Sequence, residues 1–147
     1  MAIAFHFEQI DFNLVGRRVL KAWLRQVAEG EGKRLGDIAC IFCGDEYLLS
    51  LNKSYLMHGY YTDVITFDYS AGGAIAGDIF ISVDRVRVNA EEYGVSFRSE
   101  LCRVMVHGVL HLCGYRDSAK AERSLMEEKE NFYLNILESA GGSANGI

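Results

Sequence analysis

An eleven-residue stretch from His107 to Asp117 constrains this chain more than any other part of its sequence. It reads HGVLHLCGYRD and continues a run whose apolar residues at 101, 105, 109 and 112 recur at helical spacing. His107 and His111 are four residues apart, so a helix places both imidazoles on one face. Gly114 is the residue type most able to adopt the left-handed conformation that ends a helix. The chain can then turn back and bring Asp117 towards the two histidines.

Three potential ligands at this spacing predict a metal site. The pattern H-x-x-x-H-x-x-G-x-x-D keeps the spacing of the zinc-peptidase motif H-E-x-x-H-x-x-G-x-x-H, with Gly108 in place of its glutamate and Asp117 in place of its third histidine. The alternative is a pair of core histidines bonded to backbone. A third ligand favours the metal, because catalytic zinc is held by three protein ligands and keeps one position open. Zinc is the favoured ion, and Fe(II) also suits two imidazoles and a carboxylate.

The residues of this stretch resemble the YbeY family of bacterial rRNA maturation factors and single-strand endoribonucleases. That family carries H-G-x-L-H-L-x-G-Y-D-H, which this chain matches at every fixed position except the last two. A second stretch is similar to the same family. Asn52, Tyr55-Leu56 and residues 61–67 (YTDVITF) correspond to its Asn, Tyr-Arg and Pro-Thr-Asp-Val-Leu-Ser-Phe, and residues 77–82 (GDIFIS) resemble its following strand.

The resemblance implies a metal-dependent endoribonuclease that acts on ribosomal RNA of the small subunit. Its implied metal ligands are His107, His111 and Asp117, and its candidate groove residues are Asn52, Tyr55, Thr62 and Asp63. Two departures from the family pattern change the site's character. Asp117 stands where the family usually has the third metal histidine, and Leu56 stands where it usually has an arginine implicated in activity.

Chain length limits the number of domains, and net charge limits the kind of nucleic-acid contact that the protein can make. A chain of 147 residues is the size of one domain, and its net charge of −5 argues against broad, charge-driven binding of nucleic acid. Any RNA contact is therefore expected in a local groove. No basic leader and no apolar run of about 18 residues is present, which predicts a cytoplasmic protein without a membrane span. Residues 1–140 are expected to form the domain and residues 141–147 (GGSANGI) a flexible tail.

Cys40 and Cys43 form a C-x-x-C motif within a predicted strand. Residues three apart in a strand point to opposite faces, so a redox or zinc role is not favoured. Cys113 lies inside the metal motif, but on a helix it points away from His107 and His111, which favours packing.

Periodicity and capping residues predict the order βαβαββααα. The strands are expected at residues 3–10, 37–43, 64–69 and 75–82, and the helices from Asn13 to about Gly30, from Asp45 to about Tyr55, from Ser82 to about Tyr93, from Ser96, and at about 118–139. The first helix is expected to bury Val15, Val19, Trp23 and Val27, and the last to bury Leu125, Phe132, Tyr133, Ile136 and Leu137. This order predicts a single α+β domain with a small mixed four-stranded sheet, about five helices and the metal site on a central helix.

Several polar and aromatic residues are candidates for supporting roles. Glu100 projects close to the direction of His107, so it is a candidate partner of an imidazole, although a role at the helix N-terminus is favoured. Thr62 and Asp63 precede a strand, where turn chemistry is the alternative to a groove role. Tyr60, Tyr61 and Tyr69 offer faces on which unpaired bases can stack.

From the residues alone, the site predicts a divalent ion that activates water or polarises a phosphoryl oxygen. The resemblance adds the substrate, single-stranded ribosomal RNA. A ribosome-assembly or RNA-binding factor with a mainly structural metal is the alternative, and a metallopeptidase ranks third because Gly108 leaves no peptidase-type glutamate. The general acid and base are not assigned by the sequence.

Overall fold

The computed structural model describes residues 2–140, within which the chain forms four strands and five helices. The strands are β1 (Ile3–Phe7), β2 (Arg34–Cys43), β3 (Val64–Asp68) and β4 (Ala74–Ser82). The helices are α1 (Arg17–Gly30), α2 (Asp45–Tyr55), α3 (Val83–Tyr93), α4 (Phe97–Leu112) and α5 (Lys120–Ser139). This order confirms the predicted α+β fold. The predicted tail at 141–147 lies outside the described residues.

The sheet is mixed, with strand order β1-β2-β4-β3. β1 and β4 pair in parallel with β2, and β3 pairs antiparallel with β4 at the edge. None of the helices in the described part of the chain is long and apolar enough to cross a membrane.

The two faces of the sheet are covered by different helices. Cys40 and Phe42 belong to the main core, which α1, α3, α4 and α5 complete on one face. Cys43 lies on the other face, where Leu48 of α2 and Ile65 of β3 form a smaller cluster with it. Cys40 and Cys43 therefore point to opposite faces as expected, and burial raises the pKa of both thiols to about 12.

The helix starts follow the capping residues at two of the predicted places. The Ser82 and Ser96 side chains accept hydrogen bonds from the backbone at the starts of α3 and α4. The predicted cap at Asn13 is wrong: Gly16, with φ of 75°, precedes the first turn of α1. A left-handed residue there turns the helix relative to the incoming chain. Val15 and Val19 are exposed, and the buried stripe of α1 consists of Leu20, Trp23, Leu24, Val27 and Ala28.

Glycine occupies both sides of the contact between helix α4 and β4 and leaves no room there for a larger residue. A Cβ atom at Gly108 would lie 2.6 Å from Cγ2 of Ile79, and one at Gly77 would lie 2.8 Å from Cδ2 of Leu112. Protein interiors are close-packed, so any added atom here displaces the helix or the strand. The contact fixes the height of α4, and with it His107 and His111, above the sheet.

Replacing Gly108 with alanine is expected to destabilise the protein by about 1–3 kcal/mol, the usual cost of overpacking a core. The sign of the change in unfolding free energy is diagnostic, because alanine in a free helix is more favourable than glycine by about 1 kcal/mol. Urea unfolding measures the change. Gly59→Ala is the control, since a Cβ at Gly59 meets nothing within 4 Å. Equal stability of the two variants would mean that α4 does not depend on this close contact.

Candidate metal centre and groove

The side chains of His107, His111 and Asp117 meet at one point beside the last two turns of α4. The two imidazole Nε2 atoms lie 3.0 Å apart. Oδ2 of Asp117 lies 3.2 Å from Nε2 of His107 and 3.3 Å from Nε2 of His111. Two imidazole nitrogens and one carboxylate oxygen, all within 4.8 Å of one another, can hold a metal ion. The spacing fits the donors of one zinc ion, whose bonds of about 2.0–2.1 Å set its ligands about 3.3 Å apart.

The turn after α4 brings Asp117 to this point and also orients His111. Gly114 has φ of 108°, and the N–H of Tyr115 donates to the carbonyl of Leu110, which closes the helix end. The carbonyl of Tyr115 accepts a 2.9 Å hydrogen bond from Nδ1 of His111. A carbonyl only accepts, so Nδ1 carries a proton, and in the neutral ring Nε2 then presents its lone pair to the centre. The Tyr115 hydroxyl donates to Glu31 at 2.6 Å, which holds the turn against the end of α1.

His107 is oriented by Glu130 of α5, a residue that the sequence reasoning missed. Nδ1 of His107 lies 2.6 Å from Oε2 of Glu130, and the other oxygen of Glu130 accepts from Arg103 at 2.9 Å. Burial lowers the pKa of His107, but the hydrogen bond to Glu130 and the charges of Glu130, Asp117 and Asp63 outweigh burial and raise it. The hydrogen bond fixes the ring so that its Nε2 faces the centre.

Glu100 lies behind the centre and not on it. It is 4% exposed and lines a cavity of about 270 Å³ together with Asp63, Arg103, His107 and Glu130. Among the hydrogen bonds of residues 2–140, none involves the Glu100 carboxyl group, and Glu130 takes the place beside His107 that was considered for Glu100. Burial, and then the charge of Asp63, raises the pKa of Glu100 to about 7.

The raised pKa of Glu100 predicts that the metal-free protein loses folding stability as the pH rises. An acid whose folded pKa exceeds its ordinary value of 4.5 carries no ionisation penalty while it is protonated and destabilises the fold once it is ionised. Glu100→Gln should therefore unfold like the wild type below about pH 4.5. Above about pH 7 it should be more stable by about 3 kcal/mol, since one pKa unit corresponds to about 1.4 kcal/mol. Denaturation at several pH values, with exposed Glu92→Gln as control, measures the difference, and a difference that does not grow with pH would contradict this origin.

A groove of about 610 Å³ opens over the metal centre. Its walls include the predicted groove residues Thr62 and Asp63, and Leu56 also lines it. The residues that line it are Leu56, Thr62, Asp63, Val64, Ile65, Thr66, Asp68, His107, His111, Gly114, Tyr115, Arg116 and Asp117. The groove thus runs from the edge strand β3 to the turn after α4, and the three candidate ligands line it.

Two predicted groove residues, Asn52 and Tyr55, lie outside this lining. Asn52 is buried, and its side-chain Nδ2 donates to the backbone carbonyl of Tyr60 at 2.8 Å. The backbone carbonyl of Asn52 accepts from the N–H groups of Leu56 and His58. It therefore holds the loop that follows α2. Tyr55 is exposed and packs edge-on against Phe67.

Comparison with known proteins finds one family over nearly the whole chain. A family model described as "Endoribonuclease YbeY" matches residues 4–138. The protein named endoribonuclease YbeY of Parabacteroides distasonis is 50% identical over 137 residues, which cover 93% of this chain and 96% of that protein. The one of Flavobacterium psychrophilum is 48% identical over 135 residues, covering 92% and 96%. A solution structure of a Thermotoga maritima protein, 24% identical, superposes with a TM-score of 0.63 over 92% of this chain and 90% of that one, and shows the same fold.

Proposed function

Because the chain belongs to the endoribonuclease YbeY family, it is a hydrolase of the nuclease type, and we propose that it cleaves single-stranded RNA with one divalent metal ion. The observation that carries the proposal is the convergence of two imidazole nitrogens and a carboxylate oxygen on the floor of an open groove. We place the activity in the cytoplasm, in the maturation and quality control of ribosomal RNA of the small subunit. The role in ribosomal RNA maturation rests on the family resemblance.

Zinc is the ion that we propose, held by His107, His111 and Asp117. Two nitrogens and one oxygen from protein side chains leave a further position open, as in catalytic zinc sites. When bound, the ion supplies Lewis acidity that stabilises charge on a phosphoryl oxygen. Neighbouring groups orient the two histidine ligands, because Glu130 and the Tyr115 carbonyl hold both imidazoles with Nε2 facing the centre.

The groove suits a single strand better than a duplex. A duplex is bound mainly through phosphates by many basic side chains, whereas this chain has a net charge of −5. Tyr60, Tyr61 and Tyr69 are exposed, but none of them is among the described residues that line the groove. His58 stacks on Tyr60 and Arg85 lies over the Tyr61 ring, so the ring faces that stay open are the ones we propose for unpaired bases. Each stacked base contributes about 1–3 kcal/mol. The polar residues on this wall of the groove are Thr62 and Asp63, which precede β3, and Thr66 and Asp68 of β3.

A ribosome-assembly or RNA-binding factor with a mainly structural metal is the second candidate. The observation that favours it is Leu56, which lines the groove where the family pattern has an arginine. A metallopeptidase is less compatible with the site, because a side chain at position 108 would point at Ile79 and not into the groove.

One experiment separates the two candidates. Purified protein is incubated with end-labelled, unstructured RNA before and after a chelator removes the metal, and circular dichroism reports the fold in the same samples. The enzyme predicts cleavage that chelation stops while the fold persists. Unfolding on chelation, with no cleavage beforehand, would instead favour the structural metal.

A further inference from the structure

Arg116 is the one arginine or lysine among the described residues that line the groove. It lies between Tyr115, whose carbonyl orients His111, and the ligand Asp117. Its side chain is exposed, and within residues 2–140 it takes part in no hydrogen bond, ion pair or ring contact. Nothing in the described part of the fold therefore engages this guanidinium.

Other arginines of the same region are already engaged by the protein. Arg103 binds Glu130 at 2.9 Å, Arg85 binds Asp45 at 2.9 Å, and Arg123 donates to the carbonyl of Ser118 at 2.6 Å. Each of these guanidinium groups has a structural role that explains its position. Arg116 differs from them because its position serves no such contact and faces the groove.

Besides Arg116, the described lining of the groove carries three carboxylates. Asp63, Asp68 and Asp117 line it, and their carboxylates repel a phosphodiester. A bound metal ion offsets the charge of its own ligand, but the rest of the groove stays acidic. A guanidinium presents a planar fork of donors that matches two phosphate oxygens. Leu56, on the same lining, supplies no charge.

We propose that Arg116 is the phosphate-binding residue of the groove and holds an RNA phosphate next to the metal centre. The proposal rests on the proposed function, since it names the residue through which the same groove binds a phosphate of its RNA substrate.

The test compares Arg116→Gln with Arg25→Gln, an exposed position on α1 outside the groove lining, so that both variants change the net charge equally. Arg116→Gln should lower kcat/KM for single-stranded RNA about 10- to 100-fold, the range of a hydrogen bond to a charged group. Its binding of 2′-O-methyl RNA should lose about 0.7 from the slope of log affinity against log salt, the share of one phosphate contact on a single strand. Arg116→Lys should recover part of both losses, because it keeps the charge but not the fork. Arg25→Gln should match the wild type.

The outcomes separate this inference from the proposed function. If the wild type cleaves RNA and Arg116→Gln behaves as Arg25→Gln does, the role of Arg116 is overturned and the nuclease stands. If the wild type does not cleave, the proposed function fails, and the salt slope still decides whether Arg116 binds phosphate. Metal content is measured in every variant, and loss of metal from Arg116→Gln would show that the change acts through Asp117, which also overturns the inference.

Discussion

Replacing His111 with alanine is expected to remove the metal and lower RNA cleavage by at least about 100-fold. Loss of a group that merely orients a ligand costs about 10- to 100-fold in metal affinity or activity, and loss of the ligand itself should cost no less. His107 and Asp117 would remain, but two donors hold an ion far more weakly than three. Metal analysis after dialysis and single-turnover cleavage of a labelled RNA measure the two effects.

His6→Ala is the matched control, because His6 is an exposed residue of β1 outside the groove lining. It should keep both metal and activity. His111 is half-buried, so thermal unfolding is recorded for both variants to separate a lost ligand from a lost fold. A folded His111→Ala protein that retains one metal per chain would remove His111 from the proposed ligand set.

The order of elements was predictable because its signals are local. Ser82 and Ser96 accept backbone hydrogen bonds where helices begin, and Gly94, with φ of 66°, ends α3 where the sequence placed its end. Alternating apolar residues marked β4, and the four-residue spacing of His107 and His111 placed both rings on one face of α4. Each of these inferences depends on a few neighbouring residues, so no tertiary contact was needed to make it.

The buried face of α5 was the part that local reasoning assigned wrongly. Leu125 and Phe132 were expected in the core, yet both are exposed. The buried stripe consists of Met126, Glu130, Tyr133, Leu134 and Leu137. Apolar residues occur on two sides of this helix, and the side that is buried is set by packing against α4.

Because the buried face of α5 was assigned wrongly, Glu130 was not predicted as a partner of His107. A glutamate on a buried stripe is a signal that sequence can provide, because burying an unpaired carboxylate is costly. The signal appears once residues 126, 130, 134 and 137 are recognised as one face. Glu100 is a candidate from sequence because it lies on the same helix as His107, whereas the residue that contacts His107 comes from a different helix, 23 positions away.

The groove walls depended on loop geometry that periodicity does not describe. Asn52 was grouped with the groove residues by its place in the family-like stretch, but its side chain is used to hold the loop of Tyr60. Thr62 and Asp63 face the groove because they directly precede the edge strand β3, beside α4. A short motif thus contains both groove residues and the residues that shape the loop, and side-chain contacts are needed to separate them.

The two histidines of the centre are held by partners of different kinds. His111 donates to a backbone carbonyl, which stays neutral and cannot be removed by substitution, while His107 faces a carboxylate. Glu130 is therefore the point at which the orientation and basicity of a ligand can be changed without touching the ligand itself.

Glu130→Gln is expected to weaken metal binding about 10- to 100-fold while leaving all three ligands in place. Glutamine has nearly the same shape, so the substitution removes mainly the negative charge that raises the pKa of His107. The pKa of His107 in the metal-free protein should therefore fall, which NMR titration of the imidazole resonances measures. Competition with a chromophoric chelator measures the metal affinity of the same samples.

Glu127→Gln, at an exposed position of the same helix, carries the same change in charge without contacting His107 and should leave both quantities unchanged. Arg103→Gln offers a second check, because it leaves Glu130 in place but removes the 2.9 Å ion pair that holds it. Its effect on metal affinity should be in the same direction and smaller. Glu130→Gln would argue for a purely structural role if it lowered stability but changed neither metal affinity nor the pKa of His107, since an orienting partner cannot be removed without altering the ring that it holds.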